Sequence, residues 1–288
     1  KIVVLWYKKL VQMDPNPIIG VCQLSVGSDI EKNLQQAKDL VKECKELGAV
    51  FVFLPEACDY LCEDQKESIN MAHTLTSKIC IEYCKLAAEL SVWISLGGIH
   101  RKCEGDPENK IRNSHIVIND VGEVINVYDK CHLFNVDIPN QVKLQKTDFV
   151  LPGEHIGKPI ETPIGNIGAL VCYDIRFPQI STELRKRGAE ILTYPSAFTV
   201  PTGSAHWEVL LRARAIENQC YVIAAAQTGT HNSTRKSYGH SMVVDPWGTV
   251  VACAADRVGA ITAKLDLNYL RKLRKEMPVF QHTRNDLY

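Results

Sequence analysis

A chain of 288 residues with 45% hydrophobic and 23% charged side chains can bury a large core and has the composition of an ordinary globular protein. Lysine plus arginine and aspartate plus glutamate both number 33. The balance gives no electrostatic case for nucleic acid or an anionic membrane surface, and no apolar run reaches the roughly 18 to 20 residues that cross a bilayer. A small-molecule or protein partner is expected.

The opening KIVVLWYKKLV joins a basic flank to an apolar centre, but Ile2–Tyr7 is too short for a signal peptide and no small-residue cleavage site follows. Residues 1–15 are read as a leader or processing remnant outside the core. The first twelve, basic and free of acids, also suit a mitochondrial transit remnant. Organised sequence runs from Met13 onward, and residues 16–288 are read as one domain.

Short β-like runs alternate with amphipathic helical stretches, the pattern of an α/β fold with mixed sheets. Ile18–Leu24 reads as a strand. Asp29–Leu47 reads as a helix, with Leu34, Ala37, Val41 and Cys44 at helical spacing before Gly48. Strand Val50–Leu54, helix 74–90 and strand Val92–Leu96 follow, then Ser114–Ile118 and Val124–Tyr128 joined by a hairpin turn. Residues 135–163 show little periodicity and hold prolines 139, 152, 159 and 163, which predicts a long loop of the kind that often carries function. Beyond it come strand Ile167–Cys172, helix Ile180–Arg187, strand Ile191–Tyr194, helix Ala205–Asn218 and strand Tyr221–Ala226. A hairpin over Ser241–Val251, strand Ala260–Leu265 and helix Leu267–Lys275 complete the chain.

The eleven cysteines form no C-x-x-C pair and lie in apolar segments, as reduced thiols in a cytosolic compartment do. Cys58, Cys62, Cys80, Cys84, His100 and Cys103 form a loose cluster, yet this spacing is weak evidence for structural zinc. Cys80 and Cys84 border the apolar stripe of their helix as core-edge residues would.

In α/β folds, reactive groups collect where strands end. Four apolar strands here end on such a group: Glu56, Lys130, Cys172 and Ser196. Each alone has a bland reading. The first solvated residue of a strand is commonly charged, free cysteines are usually packed, and a serine caps its turn. Together they form a usable set. A thiol nucleophile needs a base for its proton and donors for the oxyanion; a buried glutamate and a lysine can supply both. The rival pairing is cysteine with His132, His206 or His240, although no flanking segment resembles a cysteine protease. Spacing alone does not bring any of these groups together.

The segments FLPEACDY, YDKCHLFNVDIP and GALVCYDIRFPQ, in that order, resemble the nitrilase or carbon–nitrogen hydrolase superfamily, and the resemblance extends from Ile18 to Leu287. YPSAFTVPTGSAHWEVLLRARAIENQCYVIAAAQTG, SYGHSMVVDPWGTVV and PVFQHTRNDLY look like its Nit branch, the deaminated glutathione amidases, a domain fused to a Fhit-type nucleotide hydrolase in some invertebrates. The resemblance implies a four-layer α-β-β-α sandwich of two mixed sheets. It makes Glu56 the general base, Cys172 the nucleophile, and Lys130 with the backbone amide of Tyr173 the oxyanion hole. Arg176, Phe198 and Thr199 would line the substrate pocket. The implied reaction hydrolyses a small 2-oxo acid amide through a thioester, needs no metal or organic cofactor, and takes place in a homodimer or homotetramer.

Two departures stand against the family pattern. Lys146 falls where relatives usually carry a second acidic residue, with Asp148 a substitute after a local shift, and Gln179 replaces the glutamate that ends the cysteine motif. Alternatives are an ω-amidase acting on 2-oxoglutaramate, a scaffold that keeps the fold without efficient catalysis, and a zinc-binding module. Arg176 could instead be tied to Asp174, and Glu208, Arg212, Arg214 and Glu217 are expected to form a packing network.

Overall fold

The structure is a computed structural model that describes Asp14, residues 16–138 and residues 142–287. Most of the 1–15 segment therefore lies outside the described residues, as do positions 139–141 of the expected loop and Tyr288.

In chain order, the first half holds β1 (Ile18–Gln23), α1 (Ile30–Glu46), β2 (Phe51–Leu54), α2 (Gln65–Asn70) and α3 (Lys78–Leu90). It continues with β3 (Trp93–Arg101), β4 (Ile111–Ile118), β5 (Val124–Asp129), β6 (Asn135–Ile138), β7 (Val142–Gln145) and β8 (Val150–Leu151). The second half holds β9 (Ile160–Thr162), β10 (Gly165–Ala169), α4 (Pro178–Lys186), β11 (Ile191–Thr193), α5 (Val200–Asn218) and β12 (Tyr221–Ala224). Last come β13 (Thr228–Thr230), β14 (Lys236–Tyr238), β15 (Met242–Val244), β16 (Val250–Cys253), β17 (Gly259–Lys264) and α6 (Leu267–Glu276).

One large sheet runs β17-β1-β2-β3-β4-β5 with β8 on β4, and the other runs β16-β15-β12-β11-β10-β9. Both are mixed: β1, β2 and β3 are parallel neighbours, as are β10, β11 and β12, with antiparallel strands outside them. Strand alternation sorts the side chains into layers. Ile19, Val21, Phe51 and Phe53 face the core shared with Ile167, Ile191 and Ile223 of the other sheet. Their neighbours Cys22, Val52 and Leu54 face Leu34, Val41, Tyr83 and Leu86 on α1 and α3. Trp207, Leu211 and Leu184 from α5 and α4 cover the second sheet. The result is the four-layer α-β-β-α sandwich.

Local signals explain most elements. Asp29 caps α1 by accepting from the Lys32 amide at 3.1 Å, and Gly48 beyond its end takes φ +89°. The expected strand over Val92–Leu96 continues to Arg101, past a bulge at Gly97 and Gly98. This glycine pair is a close approach. A Cβ on Gly97 would stand 2.1 Å from the Leu54 carbonyl oxygen, and one on Gly98 2.7 Å from Asn113 Oδ1.

Four expectations need correcting. Residues 135–163 are not one loop. They hold the β6–β7 hairpin, a 3-10 turn over Lys146–Asp148, β8 paired with β4, and β9 paired with β10. Strands of two to four residues are too short for a period to register. The strand expected to reach Cys172 stops at Ala169, and the chain then turns through a 3-10 helix over Cys172–Arg176. Helix α5 starts at Val200 rather than Ala205, because Pro201 suits a first helical turn. The expected 74–90 helix begins at Lys78, while α2 and the β13–β14 hairpin had no clear periodic signal.

Candidate active site

Glu56 leaves the end of β2, Lys130 leaves the end of β5, and Cys172 opens the 3-10 turn after β10. The first two come from one sheet and the third from the other, yet all three line one cavity of about 620 Å³. Tyr173, Arg176, Phe198 and Thr199 line the same cavity.

Lys130 Nζ donates to Glu56 Oε1 at 2.7 Å, and both side chains are over nine-tenths buried. Asn113 Nδ2 donates to the same oxygen at 2.8 Å, while the Ala197 amide donates to Oε2 at 3.1 Å. Burial by itself would raise the Glu56 carboxyl, but the Lys130 ammonium outweighs it and holds the group at about 2. Burial likewise works against the Lys130 charge, and Glu56 reverses that, leaving it at about 12. The Cys172 thiol, against both Glu56 and the Ala197 amide, is pushed up to about 12 by burial first and the Glu56 charge second, with Lys130 opposing. The resting site therefore holds a carboxylate, an ammonium and a neutral thiol.

Two non-glycine residues here adopt positive φ: Ala57 at +55° and Cys172 at +46°. Such backbone costs about 1–3 kcal/mol per residue and persists only where its surroundings fix it. At Cys172 they do. Its amide donates to the Pro195 carbonyl at 2.9 Å, and the Val171 amide donates to Asp174 Oδ2 at 3.0 Å. From the other sheet, Tyr128 donates its hydroxyl to Asp174 at 2.8 Å, the His132 amide donates to it at 3.0 Å, and His115 meets the Leu170 carbonyl at 3.1 Å. Gln227 fixes the Glu56 turn, donating to the carbonyls of Glu56 and Ala57 at 3.0 and 3.2 Å. The Tyr173 amide, beside the sulfur, has no acceptor among the described residues.

Asp174 is thus occupied by Tyr128, His132 and its own turn rather than by Arg176. The Arg176 guanidinium lies 5.5 Å from the Phe198 ring centroid and 5.9 Å from that of Tyr173, and meets His206 Nδ1 at 3.3 Å. Phe198 packs on Trp207, and Thr199 bonds Thr202 at the start of α5. Ser196 is outside the cavity lining and donates to the Tyr194 carbonyl. The Cys–His alternative has no base: His132 stacks on Phe177 and pairs with Asp174, His240 stacks on Tyr238, and neither they nor His206 line the cavity. The four charges form two separate pairs rather than one packing network: Arg214 donates to Glu217 and to the Ile175 carbonyl, while Arg212 donates to the exposed Glu208 and to the Gly248 carbonyl.

The loose cysteine cluster does not converge. Cys58 donates to the Gly98 carbonyl, Cys80 is in the core and His100 is held by Asp59. Among the described residues no three histidine, cysteine or acidic side chains form a metal-binding group. Asp148 is exposed and outside the cavity lining, so it does not replace the missing acid; the Lys146 side chain is not among those described. Asn113, the Ala197 amide, Gln227 and Arg235 are parts of the site that sequence reasoning missed. Asn113 stands in the polar stretch Arg112–His115 of β4, where nothing in the sequence sets it apart from its neighbours. The others are set by folding alone.

The buried Glu–Lys–Cys cluster lies in a cavity of an α-β-β-α sandwich, and the chain belongs to the carbon–nitrogen hydrolase family, whose model matches residues 18–275, which makes it a hydrolase of carbon–nitrogen bonds. Among relatives, it is 50% identical over 273 residues to the deaminated glutathione amidase of Bos taurus, covering 94% of this chain and 83% of that one. It is 48% identical to the nitrilase and fragile histidine triad fusion protein NitFhit of Caenorhabditis elegans, over 94% of this chain and 61% of the fusion. The crystal structure of that fusion superposes with a TM-score of 0.91 over 95% of this chain and 66% of its own.

Proposed function

We propose that this protein hydrolyses the amide bond of deaminated glutathione, or of a similar small 2-oxo acid amide, with Cys172 as nucleophile, Glu56 as general base and Lys130 as oxyanion donor. The observation that carries this reading is the buried Glu56–Lys130 pair at 2.7 Å beside a thiol on a positive-φ turn. The similarity to deaminated glutathione amidases supports the substrate class.

The pKa directions dictate the order of events. A free thiolate beside the Glu56 charge is disfavoured, so the thiol proton passes to Glu56 as sulfur bonds to the amide carbon. Lys130 and the open Tyr173 amide receive the oxyanion. Glu56 then returns the proton to the departing nitrogen, and the C–N bond breaks to leave a thioester and cysteinylglycine, or ammonia from a primary amide. Water attacks the thioester while Glu56 takes its proton. The acid leaves, and the sulfur is reprotonated. Arg176, Phe198 and Thr199 form the pocket wall around the substrate.

Mass spectrometry of the intact protein after brief exposure to deaminated glutathione tests this reading: a 2-oxoglutaryl adduct on Cys172 is expected. Its absence, with no amine released, would refute it. Relative turnover of 2-oxoglutaramate separates the ω-amidase alternative.

Residues 16–288 act as one domain, with 1–15 outside its core. It works as a homodimer or homotetramer, which size-exclusion chromatography with light scattering would read. An association with a Fhit-type domain follows from the similarity to NitFhit proteins. All eleven cysteines are free thiols, which supports a reducing compartment such as the cytoplasm or the mitochondrial matrix. Among the described residues no helix is long and apolar enough to cross a membrane.

A further inference from the structure

Beyond Lys130, three cations among the described residues line the cavity: Arg176, Arg235 and Lys236. Lys236 is exposed, and Arg176 is engaged by Phe198, Tyr173 and His206. Arg235 differs. It lies at the end of the connection from β13 to β14, and its backbone is held firmly. The His231 amide donates to the Arg235 carbonyl at 2.9 Å, while His231 itself is fixed between the Val26 carbonyl and Ser237 Oγ, each at 2.8 Å. Ser233 in the same connection donates to Glu63 across the cavity rim. The guanidinium, in contrast, has no hydrogen-bond acceptor and no carboxylate at ion-pair distance among the described residues.

It nevertheless interacts with the reaction centre. The Arg235 charge is felt at both Glu56 and Cys172, and burial acts to lower its own pKa. Glu56 does not take up the fork, because its two oxygens already receive Lys130, Asn113 and Ala197. A half-buried guanidinium left without a partner is unfavourable, and its planar donors match a carboxylate. The geometry points to Arg235 as the residue that receives a carboxylate of the substrate, selecting anionic amides over neutral ones. This rests on the amidase reading above. Deaminated glutathione presents such a group at each end, one on the acyl side and one on the leaving dipeptide.

Three amides separate the ends. 2-Oxoglutaramate has a carboxylate only on the acyl side, N-(4-oxopentanoyl)cysteinylglycine only on the leaving side, and 4-oxopentanamide has none. In Arg235→Met, the kcat/KM of one of the two anionic amides relative to 4-oxopentanamide should fall about 30-fold or more, carried mainly by KM, with partial recovery in Arg235→Lys. Whichever anionic amide loses its preference identifies the end that Arg235 holds. Unchanged ratios, or an equal loss on all three amides, would overturn the assignment. If the wild-type protein turned over none of them, the amidase reading would fail, but titration calorimetry would still decide the role of Arg235. The Kd of 2-oxoglutarate or of cysteinylglycine should be at least tenfold weaker in Arg235→Met, and equal values for both probes overturn it.

Discussion

Replacing Lys130 with methionine would remove the ammonium that keeps Glu56 ionised while leaving the carboxylate in place, 6% exposed and surrounded by Asn113 and the Ala197 amide. In the wild-type protein Glu56 is held at about 2 against a usual value of 4.5, a depression worth about 3 kcal/mol of folding stability. That contribution is complete above the unfolded value and is lost as pH falls towards 2. Without Lys130, burial, the largest influence on Glu56, carries its pKa above the unfolded value, and the sign reverses. The carboxylate then destabilises the fold at neutral pH, and protonation relieves it as pH falls. The expected deficit of Lys130→Met is therefore about 3–5 kcal/mol at pH 7 and distinctly smaller at pH 4. Urea unfolding followed by circular dichroism, on wild type, Lys130→Met, Glu56→Gln and the double variant, measures it. The double variant should be at least about 2 kcal/mol more stable than the two single losses added together, because it buries no unpaired charge. A deficit below about 1 kcal/mol that does not change with pH would refute the buried ion pair, and with it the assigned protonation states of the site.

Cys172→Ala should abolish turnover and acyl adduct formation while leaving the circular dichroism spectrum unchanged; measurable steady-state hydrolysis would remove the thiol from the mechanism. Because burial and Glu56 push Cys172 up to about 12, its alkylation by iodoacetamide should still be rising above pH 9. In Glu56→Gln the same profile should shift to lower pH, and a plateau near neutrality in the wild type would contradict the assignment. Gly98→Ala places a Cβ 2.7 Å from Asn113 Oδ1 and 3.3 Å from Glu56 Cγ, so kcat should fall at least about tenfold with a smaller change in melting temperature. Asn113→Ala removes one donor from Glu56 and should lower kcat/KM by about tenfold, with wild-type rates counting against its role in holding the base.

Much of this architecture could be read from residue order because the buried strands are long apolar runs and the helices carry stripes. Leu34, Ala37, Val41 and Cys44 announce α1, and Phe51–Leu54 announces β2, since a strand buried on both faces needs no alternation. The segment after Lys130 could not be read in this way. Its strands of two to four residues are too short to show a local pattern, and β8 gains its stability from β4, a partner distant in sequence. Lys130 and Cys172 stood out as polar ends of apolar strands, and the family motifs supplied the expected role of each. Arg235 did not stand out. It sits in a polar connection of ordinary appearance, and its significance depends on the absence of a nearby acceptor among the described residues, which only folding determines.

The same contrast explains how the site is kept open to strain. Cys172 and Ala57 hold left-handed backbone on opposite sheets, and neither could persist on a free loop at a cost of about 1–3 kcal/mol each. Each is fixed by groups that cross from one sheet to the other: Tyr128 and His115 reach the Cys172 turn, and Gln227 reaches the Glu56 turn. The contacts that join the two sheets are therefore also the contacts that position Cys172 and Glu56. Gly97 serves both ends at once, since a side chain there would strike the Leu54 carbonyl at 2.1 Å and the Pro195 ring at 2.2 Å. It lets the β2 end and the β11 end approach closely enough for the Ala197 amide to reach Glu56. The sandwich thus brings the Cys172 thiol and the Glu56 carboxylate from separate sheets within hydrogen-bond range, an approach that loops on one sheet alone would have no packed core to enforce.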